Sequence, residues 1–151
     1  MRRNRWSRRK RPKDQDIKRV AHILGRFCRD HGIRVMRYDA YSTNSVYLKL
    51  DYGLLYSIRI SDHRGKDHLS YRFNAIKYYH GPKFKATRYG WNREFYTLNP
   101  DELNNLCRRI LELQMQKRSE LGPYKYQREM EYRKQTNAGK KGFWSTAQDL
   151  V

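Results

Sequence analysis

Residues 45–76 alternate between apolar and polar side chains, and this pattern constrains the fold more than any other feature of the chain. The apolar members form three runs: Val46, Leu48 and Leu50; Tyr56, Ile58 and Ile60; and Leu69, Tyr71, Phe73 and Ala75. A period of two is typical of half-buried strands that place one face on a core and leave the other exposed. Gly53 and Gly65 lie between the runs and favour tight reversals. The pattern therefore predicts a three-stranded antiparallel meander.

The polar members of the same runs predict the chemistry of the exposed face. Residues i and i+2 of a strand lie on the same side of a sheet. We expect Lys49, Arg59 and Arg72 on the exposed side, beside Tyr47 and Asp51.

Two amphipathic helices are predicted on the apolar side of the sheet. The first begins at Asp14 or Asp16 and ends at Gly32. Its stripe at i, i+3, i+4 and i+7 consists of Ile17, Val20, Ala21, Leu24, Phe27, Cys28 and His31. The second has Asn99 as its cap, Pro100 at its first position and Gly122-Pro123 at its end. Its stripe consists of Leu103, Leu106, Cys107, Ile110 and Leu113.

Two short strands complete the predicted domain. Residues 33–38 read as an edge strand, and residues 94–98 as a strand before the second helix. The predicted fold class is α+β, with a small antiparallel sheet of three to five strands packed on two helices. We place this single domain at residues 14–122, followed by a charged, tyrosine-rich extension at residues 123–151.

The N-terminal segment, residues 1–13, is called the basic arm here. It carries eight arginines or lysines and no acidic residue, so we expect it to be disordered when free. Arginine forks bind phosphate and stack on bases, and Trp6 adds one stacking side chain. The predicted nucleic-acid contacts are Arg2, Arg3, Arg5, Trp6, Arg8, Arg9, Lys10, Arg11 and Lys13. The alternative is a solvated tail that aids solubility.

Residues 77–93 interleave five lysines or arginines with aromatic side chains and contain no acid. This composition is typical of a nucleic-acid contact loop. The predicted contacts are Lys83, Lys85, Arg88, Trp91 and Arg93. The alternative is a long β-hairpin whose aromatic residues simply pack, and both interpretations can hold together.

The net charge of +19 and the pI near 10.2 indicate a polyanionic partner, because such self-repulsion opposes compaction. RNA, DNA, an acidic membrane surface and an acidic protein are the candidates. No apolar run is long enough to span a membrane, and the basic N-terminus has no apolar segment behind it. We predict a cytoplasmic location with Cys28 and Cys107 as two buried thiols.

The segment SDHRGKDH contains two Asp-His pairs, at residues 62–63 and 67–68. Such pairs can bind a divalent ion or form a nuclease site, whereas a turn with local aspartate hydrogen bonds is the commoner structure. The sequence contains no further ligand cluster at a recognised spacing and none of the common catalytic motifs. We therefore predict no enzyme, no catalytic or metal-binding residue and no cofactor.

The segment SIRISDH, residues 57–63, resembles a segment of small phage and prophage proteins of Gram-positive bacteria. In particular, the chain resembles phage anti-CRISPR proteins that inhibit the RNA-guided effector nuclease of type II systems. Members have a basic disordered arm, a helix, a strand that ends in a similar IRxSxH segment, further strands and a C-terminal helix. The resemblance implies a partner formed by the nuclease with its guide RNA, in a bacterial host cytoplasm. Residues 77–93 and the C-terminal extension depart from that pattern.

Three functions follow as predictions. The first is a phage-encoded inhibitor that binds a guide-loaded nuclease through its basic residues, and the second is a general RNA- or DNA-binding accessory protein, such as a phage regulator or a ribosome-associated factor. The third is a small metal-dependent nuclease that uses the SDHRGKDH segment.

Overall fold

The computed structural model describes residues 13–40, 44–62, 71–86, 92–138 and 147–150. Along the chain the elements are α1 (Lys13–Asp30), β1 (Val35–Asp39), β2 (Val46–Leu50), β3 (Ser57–Ser61), β4 (Phe73–Ile76), β5 (Phe84–Ala86), β6 (Asn92–Tyr96), α2 (Pro100–Ala138) and β7 (Gln148–Leu150). The strands form one seven-stranded sheet in the order β5-β6-β4-β3-β2-β1-β7. The α+β class is confirmed, with more strands than predicted.

The sheet is mixed, so the predicted meander is wrong for its third strand. β2 and β3 pair antiparallel as expected, but β4 runs parallel to β3 and β6 runs parallel to β4. Parallel neighbours need a crossover, and residues 62–72 join β3 to β4. Alternation reveals which face of a strand is buried but carries no information about the direction of its neighbour.

β1 is not an edge strand, contrary to the prediction, because β7 pairs antiparallel with it. Arg34 Nη2 lies 3.0 Å from Asp149 Oδ2, and Leu150 packs against the core. A Cβ at Gly25 would lie 3.2 Å from Leu150 Cδ1, which accounts for a glycine in the middle of α1. A helix-interior glycine costs about 1 kcal/mol relative to alanine, so docking of β7 offsets a local cost.

Both helices share one core with alternate residues of the central strands. The predicted stripe of α1 is confirmed for its buried members Ile17, Val20, Ala21, Leu24 and Cys28, while Phe27 is half-buried and His31 is exposed. Cys28 and Cys107 are buried and form no disulfide, and burial raises the pKa of the Cys28 thiol far above its ordinary value. Asn99 caps α2 as predicted, since its Oδ1 accepts from the Asp101 N–H at 2.9 Å.

Helix α2 does not end at Gly122-Pro123 but is interrupted there. Gly122 adopts φ 77° and ψ 159°, and the helix resumes to Ala138. Pro123 fits this restart because its fixed φ suits the first position of a helix. The break separates a first half, residues 100–121, from a second half, residues 123–138.

A buried hydrogen bond between Tyr126 and Asp51 fixes the second half of α2. Tyr126 Oη donates to Asp51 Oδ2, and the backbone N–H of Arg34 donates to Asp51 Oδ1 at 2.9 Å. Asp51 is fully buried, which contradicts its predicted place on the exposed face. The second half of α2 was predicted as an extension outside the domain. The sequence therefore gave no reason to expect that Tyr126 would bury the Asp51 carboxylate.

Arg59 was also predicted to be exposed, and it is 1% exposed. It lies in β3, the middle strand of the seven, and its Nη2 donates to Ser61 Oγ at 3.4 Å. Because β3 has a neighbouring strand at each edge, long side chains from those strands also cover its polar face. Tyr47, Lys49 and Arg72 are half-buried.

The pH dependence of stability tests the role of Asp51. Burial raises its pKa, so the folded protein keeps this proton to a higher pH than the unfolded chain does. The stability associated with the protonated form is complete below the unfolded pKa and is lost as the pH rises through the folded pKa. We expect Asp51→Asn to gain free energy of unfolding relative to the wild type as the pH rises above about 4. Urea unfolding of both proteins across pH checks this, and a pH-independent difference would contradict it.

Candidate nucleic-acid interface

The predicted contact residues divide between described and undescribed parts of the chain. Residues 1–12 of the basic arm lie outside the described residues, and Lys13 begins α1. Arg88 and Trp91 also lie outside. Lys83, Lys85 and Arg93 are described, and they belong to the β5–β6 hairpin at one edge of the sheet.

Lys85 and Arg93 lie on the face of the sheet that points away from the helices. They are direct cross-strand partners in the β5–β6 register. Phe95 follows on the same face because side chains of one strand alternate between faces. The Lys85 ammonium lies 5.3 Å from the Phe95 ring centroid and 5.6 Å from that of Tyr79. Together Tyr79, Lys85, Arg93 and Phe95 are called the hairpin surface here.

Tyr79 stacks on Phe95, with ring centroids 4.5 Å apart and an interplanar angle of 10°. Phe95 is 1% exposed, whereas Tyr79 is half-buried and forms the outer layer of the stack. Tyr79 Oη donates to the Pro82 carbonyl at 2.5 Å, and a Cβ at Gly81 would overlap the Tyr79 ring. The turn residues therefore fix the outer ring in place.

Two further lysines also lie over aromatic rings, but each of them pairs with a carboxylate on a helix. Lys83 Nζ lies 4.8 Å from the Tyr96 ring centroid and 3.9 Å from Glu102 Oε2 on α2. Lys77 Nζ lies 5.8 Å from the Tyr78 ring centroid and 3.4 Å from Asp16 Oδ2 on α1. Cation–π contacts at exposed sites are worth about 0.5–1 kcal/mol each and hold the ammonium groups over the rings. The aromatic residues pack, as the hairpin interpretation predicted, and the nucleic-acid interpretation stays a prediction.

On the helix side of β6, Glu94 is a buried carboxylate held by three donors. It is 1% exposed, and Tyr96 Oη donates to its Oε1 at 2.7 Å. Arg109 Nε from α2 lies 3.1 and 3.0 Å from the two carboxylate oxygens, and Arg72 Nε lies 3.3 Å from Oε2. Burial, together with the hydrogen bond to Glu94, raises the pKa of Tyr96. The cluster fixes the hairpin strand β6 against α2.

A set of cations at the turn between β2 and β3 was missed by the sequence reasoning. The Arg72 guanidinium lies 5.0 Å from the Tyr56 ring centroid, and Lys117 Nζ from α2 lies 5.8 Å from the same centroid. The Lys49 and Arg133 side chains both approach Gly53. These cations come from β2, from the segment before β4 and from both halves of α2, so no local motif could have grouped them.

The same turn is conformationally unusual. Asp51, Tyr52 and Tyr56 have φ values of 48°, 55° and 66°, in the left-handed region that favours glycine. Each such residue costs on the order of 1–3 kcal/mol, and such strain clusters at binding sites. Burial of Leu55 and the hydrogen bond from the Asp51 N–H to the Arg34 carbonyl, at 2.8 Å, hold the turn.

The SIRISDH segment is mostly interior. Its first five residues form β3 and are buried, and Asp62 Oδ2 accepts from Asn44 Nδ2 at 3.1 Å. His63, Asp67 and His68 lie outside the described residues, so the nuclease interpretation of this segment stays a prediction. Within the described parts of the chain, no three His, Cys, Asp or Glu side chains are grouped so as to hold a metal ion.

Among the helices that the structure describes, none combines the length and the apolarity needed to cross a membrane. Comparison with protein-family models, with curated proteins and with solved structures returned no match to this chain. The anti-CRISPR resemblance therefore stays a prediction from the SIRISDH segment and the order of elements.

Proposed function

We propose that this protein binds the phosphate backbone of RNA or DNA through the hairpin surface and the basic arm. The observation that carries this proposal is the placement of Lys85 over the Tyr79 and Phe95 rings, directly opposite Arg93 on the neighbouring strand. Ordered ammonium groups neutralise phosphates, and a half-buried ring such as Tyr79 offers a face on which a base can stack. No catalytic step is part of the proposal.

Binding of fluorescently labelled random RNA and DNA oligonucleotides, followed by anisotropy, tests the proposal. We expect both to bind at low salt and to dissociate as salt is added, because counterion release drives phosphate contacts. If neither the RNA nor the DNA oligonucleotide bound at low salt, the proposal would be overturned.

A second candidate is an inhibitor of a guide-loaded bacterial effector nuclease, acting in the host cytoplasm. The observation that favours it is the order of elements: α1, then a group of strands of which β3 carries SIRIS, and then the long helix α2. The cationic arm would contact guide RNA or acidic protein surface rather than the basic walls of the nucleic-acid channel. Pull-down with guide-free and guide-loaded nuclease tests this candidate, and failure to retain either form would eliminate it.

A further inference from the structure

A cavity of about 580 Å³ lies between the strained turn and the second half of α2. Its floor includes Tyr52 and Tyr126, which are 6% and 4% exposed, and the Tyr126 hydroxyl is fixed by Asp51. The cavity depends on the break at Gly122, because the residues that line it come from both halves of α2. Its volume lies in the range of small-molecule sites.

Among the described residues, three cations line this cavity: Arg34 before β1, Arg118 in the first half of α2 and Lys134 in the second half. Arg34 is paired with Asp149. Arg118 donates from Nη2 to the Gly32 carbonyl at 3.4 Å and lies 5.4 Å from the Tyr126 ring centroid. Among the described residues, neither Arg118 nor Lys134 lies within salt-bridge distance of a carboxylate, although Arg118 interacts electrostatically with the buried Asp51 and with Tyr126.

One carboxylate, that of Glu131, is found among the described residues that line the cavity, and Gln127 Nε2 donates to it at 3.4 Å. The lining is thus cationic overall, with an apolar and aromatic floor. A guanidinium fork and a flexible ammonium that line the same cavity favour an oxyanion with several oxygens at different angles. Phosphate has this geometry, and a flat group attached to it would meet the tyrosine floor.

We propose that this cavity is a binding site for a phosphate monoester, held by Arg118 and Lys134. The described residues that line the site come from the segment before β1, the β2–β3 turn and α2, and none of them belongs to the hairpin surface. The proposal therefore does not rest on the proposed nucleic-acid function. The ligand is either a free phosphate or nucleotide, or the phosphorylated end of an RNA chain.

Calorimetric titration of the full chain with inorganic phosphate, at constant ionic strength in chloride buffer, tests the site. We expect Arg118→Ala/Lys134→Ala to weaken phosphate binding at least about tenfold, since each residue gives a charge-assisted hydrogen bond. The matched control is Lys125→Ala/Arg128→Ala, which removes the same charge from exposed positions of the same helix segment. It is expected to bind phosphate within about twofold of the wild type. Both variants change exposed side chains, and circular dichroism checks that each variant keeps the fold.

Two outcomes overturn the proposal: no phosphate binding by the wild type above the chloride reference, or equal weakening in the two double variants. RNA oligonucleotides with a 5′-phosphate or a 5′-hydroxyl distinguish the sources. A preference for the 5′-phosphate that disappears in Arg118→Ala/Lys134→Ala assigns an RNA end, and equal binding of both oligonucleotides assigns a free phosphate ligand. Substitution of the hairpin surface must leave phosphate binding unchanged, which separates this proposal from the nucleic-acid proposal.

Discussion

Replacing Lys85 and Arg93 together with glutamate is expected to weaken RNA binding at least about 100-fold at low salt, because two phosphate contacts are lost and two repulsive charges are added. The slope of log affinity against log salt should become shallower by about two units, since each phosphate contact contributes about one. Fluorescence anisotropy with a labelled random RNA measures both quantities. Circular dichroism checks that the two substitutions in the β5–β6 hairpin have not disrupted the fold. If the double variant unfolds, Lys85→Glu alone is used for the binding measurement.

The control for this experiment reverses the same charge elsewhere. Lys125 and Arg128 are exposed in the second half of α2, and Lys125→Glu/Arg128→Glu changes the net charge by the same amount. We expect this variant to lose much less affinity than the hairpin variant does. Equal losses of RNA affinity in the two variants would show that net charge alone drives binding. The hairpin surface would then not be the RNA-binding site.

The largest expected effect on stability comes from Glu94→Ala. This change leaves Arg72, Arg109 and the Tyr96 hydroxyl without their shared acceptor, in a cluster where the two arginine side chains are 13% and 29% exposed. Removing one partner of a buried ion cluster costs about 3–5 kcal/mol in free energy of unfolding. Urea unfolding followed by circular dichroism measures this loss.

Glu112 supplies the matched control for Glu94. It pairs with the same Arg109, through Nη1 at 3.5 Å, but its side chain is 69% exposed. We expect Glu112→Ala to change the free energy of unfolding by no more than about 1 kcal/mol. A Glu94→Ala variant as stable as Glu112→Ala would contradict the buried-cluster interpretation.

The sequence predicted those helices and strands whose pattern of buried residues is local. Periodicity located α1, β2, β3 and the first half of α2, because each buries one face at a regular spacing. The direction of β4 and the pairing of β7 with β1 depend on contacts between distant segments, and no local pattern encodes them. The continuation of α2 past Gly122 was missed because a Gly-Pro pair normally ends a helix, whereas here the Tyr126–Asp51 hydrogen bond fixes the next segment.

The candidate site was predictable only where its residues are close in sequence. Interleaved basic and aromatic residues indicated the hairpin, and the structure places Lys83 and Lys85 over rings there. Arg118 and Lys134 are separated by a helix break, and only the bend at Gly122 brings them to one cavity. Arg59 was predicted to be exposed because it is charged. It is buried because it lies in the central strand of the sheet.

The salt dependence of RNA affinity, measured on the full chain and on a chain lacking residues 1–13, tests the central claim most directly. We expect a linear fall of log affinity with log salt, and a slope shallower by about 6–7 once the eight charges of the basic arm are removed. Residual salt-dependent binding should remain in the shortened chain and should disappear with Lys85→Glu/Arg93→Glu. An affinity insensitive to salt, or an identical slope with and without residues 1–13, would contradict it.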